Sequence, residues 1–194
     1  MTLQKHKLIL ASASSRRLAL LEQIGVRPDA VRAADLDETP LKGELPRAHA
    51  QRLAREKAEV VARLEPDALV LAADTVVACG RRILPKAETE ADARACLALL
   101  SGRAHRVYTA LALLGPDGKR AERVNETRVA FKRLSLSETE DYITGGEWRG
   151  KAGGYAIQGH AGAFVRLLTG SYSGVVGLPL FETAALLKGM GFPL

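Results

Sequence analysis

A chain of 194 residues with 47% hydrophobic and 26% charged side chains has the proportions of an ordinary soluble globular protein of one or two domains. It is long enough to bury about 70% of its unfolded surface without disulfide staples, and no apolar run approaches the roughly 20 residues of a membrane span. The net charge of +6 comes from scattered arginines with few aromatics between them, a pattern that suits a small polyanionic ligand better than a nucleic-acid groove.

In chain order, Lys5 and Lys7 precede LILASA, an apolar run too short for a secretion signal, so a cytoplasmic location is expected. Lys7 to Ala11 reads as a short strand. Ser12, Ser14 and Ser15 then lead into a helix over Arg16–Gly25, with Leu18, Leu21 and Ile24 at helical spacing. Residues 29–34 read as a second strand, and 35–45 (DLDETPLKGEL) as a loop. Pro46 to Leu64 is a strongly amphipathic helix, with Ala50, Leu53, Ala54, Val60, Val61 and Leu64 on one face. Ala68 to Ala78 is an apolar strand and Glu90 to Leu100 a helix. Residues 104–114 and 121–133 form a hairpin through Gly115-Pro116-Asp117-Gly118. Ser137 to Thr144 begins a short helix with a Ser137–Glu140 box. A glycine-rich stretch covers 145–163, Phe164–Leu168 is a strand and Leu180–Gly189 a closing helix. Early β–α–β units and a later antiparallel hairpin together predict an α/β fold, a mixed twisted sheet with flanking helices, within one domain over 1–194.

The most informative residue is Asp74. It interrupts the ALVLAADTVVA strand, where an unbroken aliphatic run is the norm. Removing the partner of a buried charge costs about 3–5 kcal/mol, so Asp74 requires a cation or a metal beside it, or a wet cleft. Such a carboxylate can take a proton from an attacking water or hold a hard divalent ion; a purely structural ion pair is the alternative. Lys57 falls at the centre of the apolar face of its helix, where its ammonium must be paired or snorkel to water. Ser12-Ala13-Ser14-Ser15-Arg16-Arg17 stands between strand and helix. A helix N-terminus with hydroxyls and guanidiniums is an anion site, although a serine cap with surface arginines has the same composition. Glu38 in the acidic loop offers a second carboxylate. Lys86 lies in ILPKA ahead of a helix, and Gln158 ends a glycine-rich run (KAGGYAIQ) able to approach a ligand closely. Cys79 and Cys96 form no metal spacing and read as reduced core thiols. The four histidines are isolated.

Taken together, LILASASSRRLALLEQIG, LAREKA, AADTVV, ILPKA, LSGRAHRVYTA, KAGGYAIQG and GSYSGVVGLPLFET resemble the Maf family of nucleoside triphosphate pyrophosphatases, in family order and over nearly the whole chain. The IQG and GSYSGVVGLPL blocks are similar to its dTTP/UTP branch. The resemblance implies two lobes around a central cleft, often a homodimer, and hydrolysis between the α and β phosphates with Mg²⁺ or Mn²⁺. It implies Asp74 as proton acceptor, with Glu38 and Asp74 toward the metal. Arg16, Thr75 and Gln158 would govern substrate choice, and Ser12, Arg17, Lys57 and Lys86 match other substrate-binding positions. Cleavage of ITP or 7-methyl-GTP, or nucleotide binding without turnover in a regulator of cell division, are the alternatives. No nucleic-acid or membrane partner is expected. Ser15 departs from the family's SPRR, Pro85 and Ala87 from its GKP, and Ala156 from its more common glycine.

Overall fold

The computed structural model describes residues 7–194; Lys5, His6 and the reading made from that terminus lie outside them. Strand β1 (Lys7–Ala11) is followed by helix α1 (Ser15–Gln23), which stops short of Gly25. That glycine takes φ +75°, a conformation that disfavours side chains and ends the helix. The expected strand over 29–34 shrinks to β2 (Ala30–Val31), an edge strand beside β1. Helix α2 (Pro46–Leu64) has the predicted bounds; proline at its first turn loses no hydrogen bond the helix could make. Leu53 and Val61 are buried by α2 against the sheet, each contributing about 1.5–3 kcal/mol.

Strand β3 (Ala68–Cys79) is buried along almost its whole length. Short strands β4 (Arg82–Leu84) and β5 (Lys86–Ala87) precede helix α3 (Glu90–Leu100), which is capped reciprocally by Thr89 and Asp92. The hairpin is β6 (Ala104–Leu114) and β7 (Arg120–Phe131). Helix α4 (Leu136–Gly145) begins earlier than expected, because the capping pair is Ser135 and Glu138 rather than Ser137 and Glu140. Both pairs have the same spacing. Only Glu138 is also drawn to Lys132 at the end of the hairpin. The glycine-rich stretch contains strand β8 (Lys151–Ala152) and a 3₁₀ turn (His160–Phe164). Strand β9 (Val165–Thr169), helix α5 (Tyr172–Val176) and helix α6 (Leu180–Gly189) complete the chain.

The main sheet is mixed and seven-stranded, in the order β2-β1-β3-β6-β7-β9, with β4 added on β3; β5 and β8 form a separate pair. β1 runs parallel to β2 and β3, and the remaining pairs are antiparallel. One detail of register creates the site. On the edge of β3 opposite β6, β1 covers Ala68 to Ala72 and β4 covers Val77 to Cys79. Residues 73–76 have no strand neighbour on that side. The sheet is therefore notched just beyond the carboxyl end of β1, the position where open α/β sheets take ligands. Apolar clusters pack on both faces of β3 before the notch and around its far end beyond it. Among the described residues no helix is long and apolar enough to cross a membrane. Both cysteines are free; Cys96 is core, and burial raises its thiol pKa, whereas Cys79 at the strand end is partly exposed rather than core.

Candidate active site

Alternation along β3 sends Asp74 and Thr75 to opposite faces of the sheet. Asp74 shares its face with Val70, Ala72 and Val76, against α2. Lys57 is waiting there, with its Nζ 2.6 Å from Asp74 Oδ1 and 2.6 Å from Glu38 Oε1. Lys57 is 8% exposed and Asp74 5% exposed, so this is a buried pair with a second carboxylate at its rim. Lys86 binds the other oxygen of Glu38. Burial works against the Glu38 charge, yet hydrogen bonds from Lys57 and Lys86 hold its pKa down at about 2.

The loop bearing Glu38 is tied to α2 by residues the sequence did not single out. Arg52 donates to both oxygens of Glu44, at 2.8 and 3.0 Å, and to the Thr39 carbonyl. His49, only 4% exposed, sets Nδ1 2.9 Å from Glu44 Oε2. The clue was His49, which lies among the apolar positions of α2.

On the other face, Thr75 meets α1 and the turn after α5. Arg17 donates through Nε to the Gly177 carbonyl at 2.8 Å, through Nη1 to Ser12 Oγ at 3.1 Å and through Nη2 to Thr75 Oγ1 at 3.3 Å. Burial lowers the Arg17 pKa while the nearby Asp74 charge raises it. Arg17 is thus largely spent on stitching α1 to β3 and the α5 turn, and is not the surface arginine that an ordinary cap would carry. Thr109 stands directly across from Thr75 in the β3–β6 register. Its Oγ1 lies 2.7 Å from the Gly174 carbonyl and 3.1 Å from Thr75 Oγ1.

All nine residues singled out in the sequence line one cleft of about 400 Å³. Ser12 comes from the β1–α1 turn, and Arg16 and Arg17 from the first turn of α1. Lys57 comes from α2, Asp74 and Thr75 from β3, Glu38 from the loop before α2, Lys86 from β5, and Gln158 from the glycine-rich wall, where it is exposed. Arg16 faces this space partly buried, and burial lowers its pKa. Lys151 and Arg149 join it on the opposite wall. Lys151 opens the KAGGYAIQG block, and nothing in the sequence singles it out. Burial, and then the positive charge of Arg16, pull its ammonium pKa down. That wall lies flush on the sheet because Gly153 and Gly154 take φ +68° and leave no room for a side chain. A Cβ on Gly153 would fall 2.7 Å from Val77 Cγ1, and one on Gly154 3.2 Å from the Ala93 backbone.

The cleft therefore opposes a carboxylate floor, already neutralised by Lys57 and Lys86, to walls of donors and cations. Two carboxylates gathered on one buried ammonium show a place built to hold positive charge. Glu38 and Asp74 are hard oxygen donors of the kind Mg²⁺ and Mn²⁺ take. No cluster of three or more His, Cys, Asp or Glu residues suited to a metal occurs among the described residues; Glu38 and Asp74 offer two carboxylates, both already engaged by lysine.

Residues 7–190 match the family described as Maf-like protein. A relative from Caulobacter vibrioides named dTTP/UTP pyrophosphatase is 64% identical over 95% of this chain and 96% of its own. One of the same name from Novosphingobium aromaticivorans is 63% identical over 97% of this chain and 94% of its own. Among solved structures, a HAM1 protein from Coxiella burnetii superposes with a TM-score of 0.50 at 18% identity, covering 94% of this chain and 98% of that one. This likeness concerns the fold alone.

Proposed function

The chain belongs to the Maf-like family, and from that premise we propose that it is a nucleoside triphosphate pyrophosphatase that hydrolyses dTTP and UTP to the nucleoside monophosphate and pyrophosphate. Relatives of that name cover nearly its whole length. The observation that carries the chemistry is the buried Asp74–Lys57–Glu38 cluster in the notch of the sheet, facing the cations of the cleft walls.

The triphosphate enters with its anionic tail toward the start of α1, Arg16 and Lys151, where backbone N–H groups and positive charge are in excess. Lys57 holds Asp74 through Oδ1, which leaves Oδ2 to accept a proton from a water in the cleft. The water oxygen bonds to the α-phosphorus, the bond to the bridging oxygen breaks, and pyrophosphate leaves with the electron pair. Lys86 and Arg16 stabilise the charge that develops on it. Glu38 and Asp74 would hold Mg²⁺ or Mn²⁺, which supplies Lewis-acid neutralisation of the phosphates. Ser12 and Arg17 shape the turn that binds the tail, while Thr75 and Gln158 read the base. A homodimer and a cytoplasmic location complete the proposal on the strength of the family.

Product analysis tests it. The purified chain, incubated with Mg²⁺ and each of dTTP, UTP, CTP, ITP and 7-methyl-GTP, is expected to release pyrophosphate from dTTP and UTP fastest. Orthophosphate as the sole product, or 7-methyl-GTP as the best substrate, overturns the assignment. Tight binding of dTTP with no product at all supports a nucleotide-binding regulator instead.

A further inference from the structure

The cations of the cleft fall into two groups. Six line it, Arg16, Arg17, Lys57, Lys86, Arg149 and Lys151, against the two carboxylates of Glu38 and Asp74. Lys57 and Lys86 are paired with those carboxylates, and Arg17 has its guanidinium on Ser12, Thr75 and the Gly177 carbonyl. Among the described residues, Arg16, Arg149 and Lys151 have no carboxylate within 4 Å. Glu147 and Glu88 act on Lys151 only from beyond that distance. The unmatched charge of the cleft therefore lies on α1 and on the segment that leads into β8.

That segment holds its two cations in place. Arg149 lies with Cζ 5.1 Å above the Trp148 ring, and Trp148 is itself buried with its indole N–H on the Ile143 carbonyl at 2.8 Å. Stacking uses the face of a guanidinium and leaves its N–H edge open. Lys151 Nζ donates to the Arg149 carbonyl at 2.9 Å, which leaves two of its three protons. The backbone beneath is pinned: Lys151 N–H donates to the Trp148 carbonyl at 3.0 Å and Gly150 N–H to the Ala87 carbonyl at 2.9 Å. Burial, and then Arg16, lower the Lys151 pKa; like charges kept together without a counter-ion call for an anion. The terminal phosphate is the most charged part of a triphosphate tail, at about −2 near neutral pH. We propose that Lys151 and Arg149, with Arg16 beside them, seat the two terminal phosphates of the substrate, so that they select triphosphates over shorter tails and retain the pyrophosphate once it is cut. This rests on the reading of the chain as a nucleoside triphosphate pyrophosphatase. Lys57 and Lys86 cannot supply this grip, because carboxylates already meet their charge.

The test compares the full-length wild-type chain with Lys151→Met, Arg149→Met and Lys151→Arg. Dissociation constants of inorganic pyrophosphate and of UMP are measured by calorimetry with Mg²⁺, and KM and kcat with UTP. In both methionine variants pyrophosphate is expected to bind about tenfold or more weakly, the loss of a charge-assisted hydrogen bond, with UMP within about twofold of wild type. KM for UTP rises with it while kcat changes less, and Lys151→Arg, which keeps the charge, recovers most of the pyrophosphate affinity. Pyrophosphate binding unchanged in either methionine variant, or UMP binding lost to the same degree, overturns the inference. If the variants do not fold, acylation of the wild type by acetic anhydride decides, read by peptide mass. Pyrophosphate is expected to shield Lys151 but not Lys119, whose side chain is 73% exposed on the surface, and UMP to shield neither. Equal labelling of Lys151 with and without pyrophosphate overturns the proposal. Binding and labelling are read without turnover, so failure of the enzymatic assignment shows as absent pyrophosphate release from UTP and stays separate from failure of this seat.

Discussion

Asp74 and Thr75 are neighbours in sequence, yet they serve two faces of the same sheet by different physics. On the Asp74 face, charge is neutralised by charge: Lys57 is shared by two carboxylates, and Lys86 adds to one of them. On the Thr75 face a chain of neutral hydroxyls and carbonyls, with one guanidinium, fixes orientation rather than charge. The notch in β3 exposes both faces to one cleft. A single strand thereby presents a lysine-paired carboxylate and a hydrogen-bonded hydroxyl to the same cleft.

Breaking the charged face has the largest expected effect. Asp74→Asn keeps the shape and removes the base, so kcat on dTTP should fall by about 10²–10⁴; a variant with near-wild-type turnover would remove Asp74 from that role. Next comes Lys57→Met, which leaves Asp74 and Glu38 facing each other without their shared ammonium. Loss of a buried partner should cost about 3–5 kcal/mol of folding free energy, read as a shift in the urea midpoint at constant slope. A loss below about 1 kcal/mol, the worth of an exposed pair, would mean that water reaches this cluster freely.

The smallest effect sharpens the contrast through pH. His105 is on the Thr75 face of β6, 2% exposed, with Nε2 2.8 Å from the Tyr155 hydroxyl and with Nδ1 unpartnered. Burial lowers its pKa from 6.5 to about 4. As pH drops below 6.5, the unfolded chain takes up a proton that the folded chain refuses. Stability falls through this window and levels off below pH 4, by about 3 kcal/mol at most. Glu38 has the other sign of shift. Its contribution is present above pH 4.5 and is lost only as pH falls toward 2. Between pH 6.5 and 4.5, therefore, the acid sensitivity belongs to His105, and His105→Phe should flatten the urea midpoint there. An unchanged slope would place the titrating group elsewhere.

The buried pair of the charged face was legible in the sequence because Asp74 and Lys57 are anomalies of pattern: an acid inside an apolar strand and a lysine at the centre of an apolar helix face. The bounds of helix α2 were legible to the residue from its apolar periodicity, although Leu64, placed on that face, is 70% exposed at the helix end. The hydroxyl face was not. Thr109 sits where any β-branched residue would suit a strand, and only the register across to Thr75 gives it meaning. Arg16 and Arg17 look equivalent in the sequence, yet one is tied to three protein acceptors while the other faces the cleft. The glycine-rich wall was equally opaque. Strands of two residues such as β5 and β8 carry no period, and distant partners hold the segment, among them Tyr142, whose hydroxyl receives the Ala156 N–H. The capping box of α4 slipped by two residues because two serine–glutamate pairs overlap, and tertiary contacts separate them: Lys132 draws Glu138 and Arg94 draws Glu140.

Gly153 and Gly154 press the cleft wall onto Val77 and Ala93, where a Cβ would clash at the first position and crowd the Ala93 backbone at the second. The width of the chamber is consequently set by backbone touching backbone and strand side chain, which no point substitution at these two positions can pad or trim. Any change in what the chamber admits must come from its rim, at Gln158 and beyond, while the glycine pair stays as it stands.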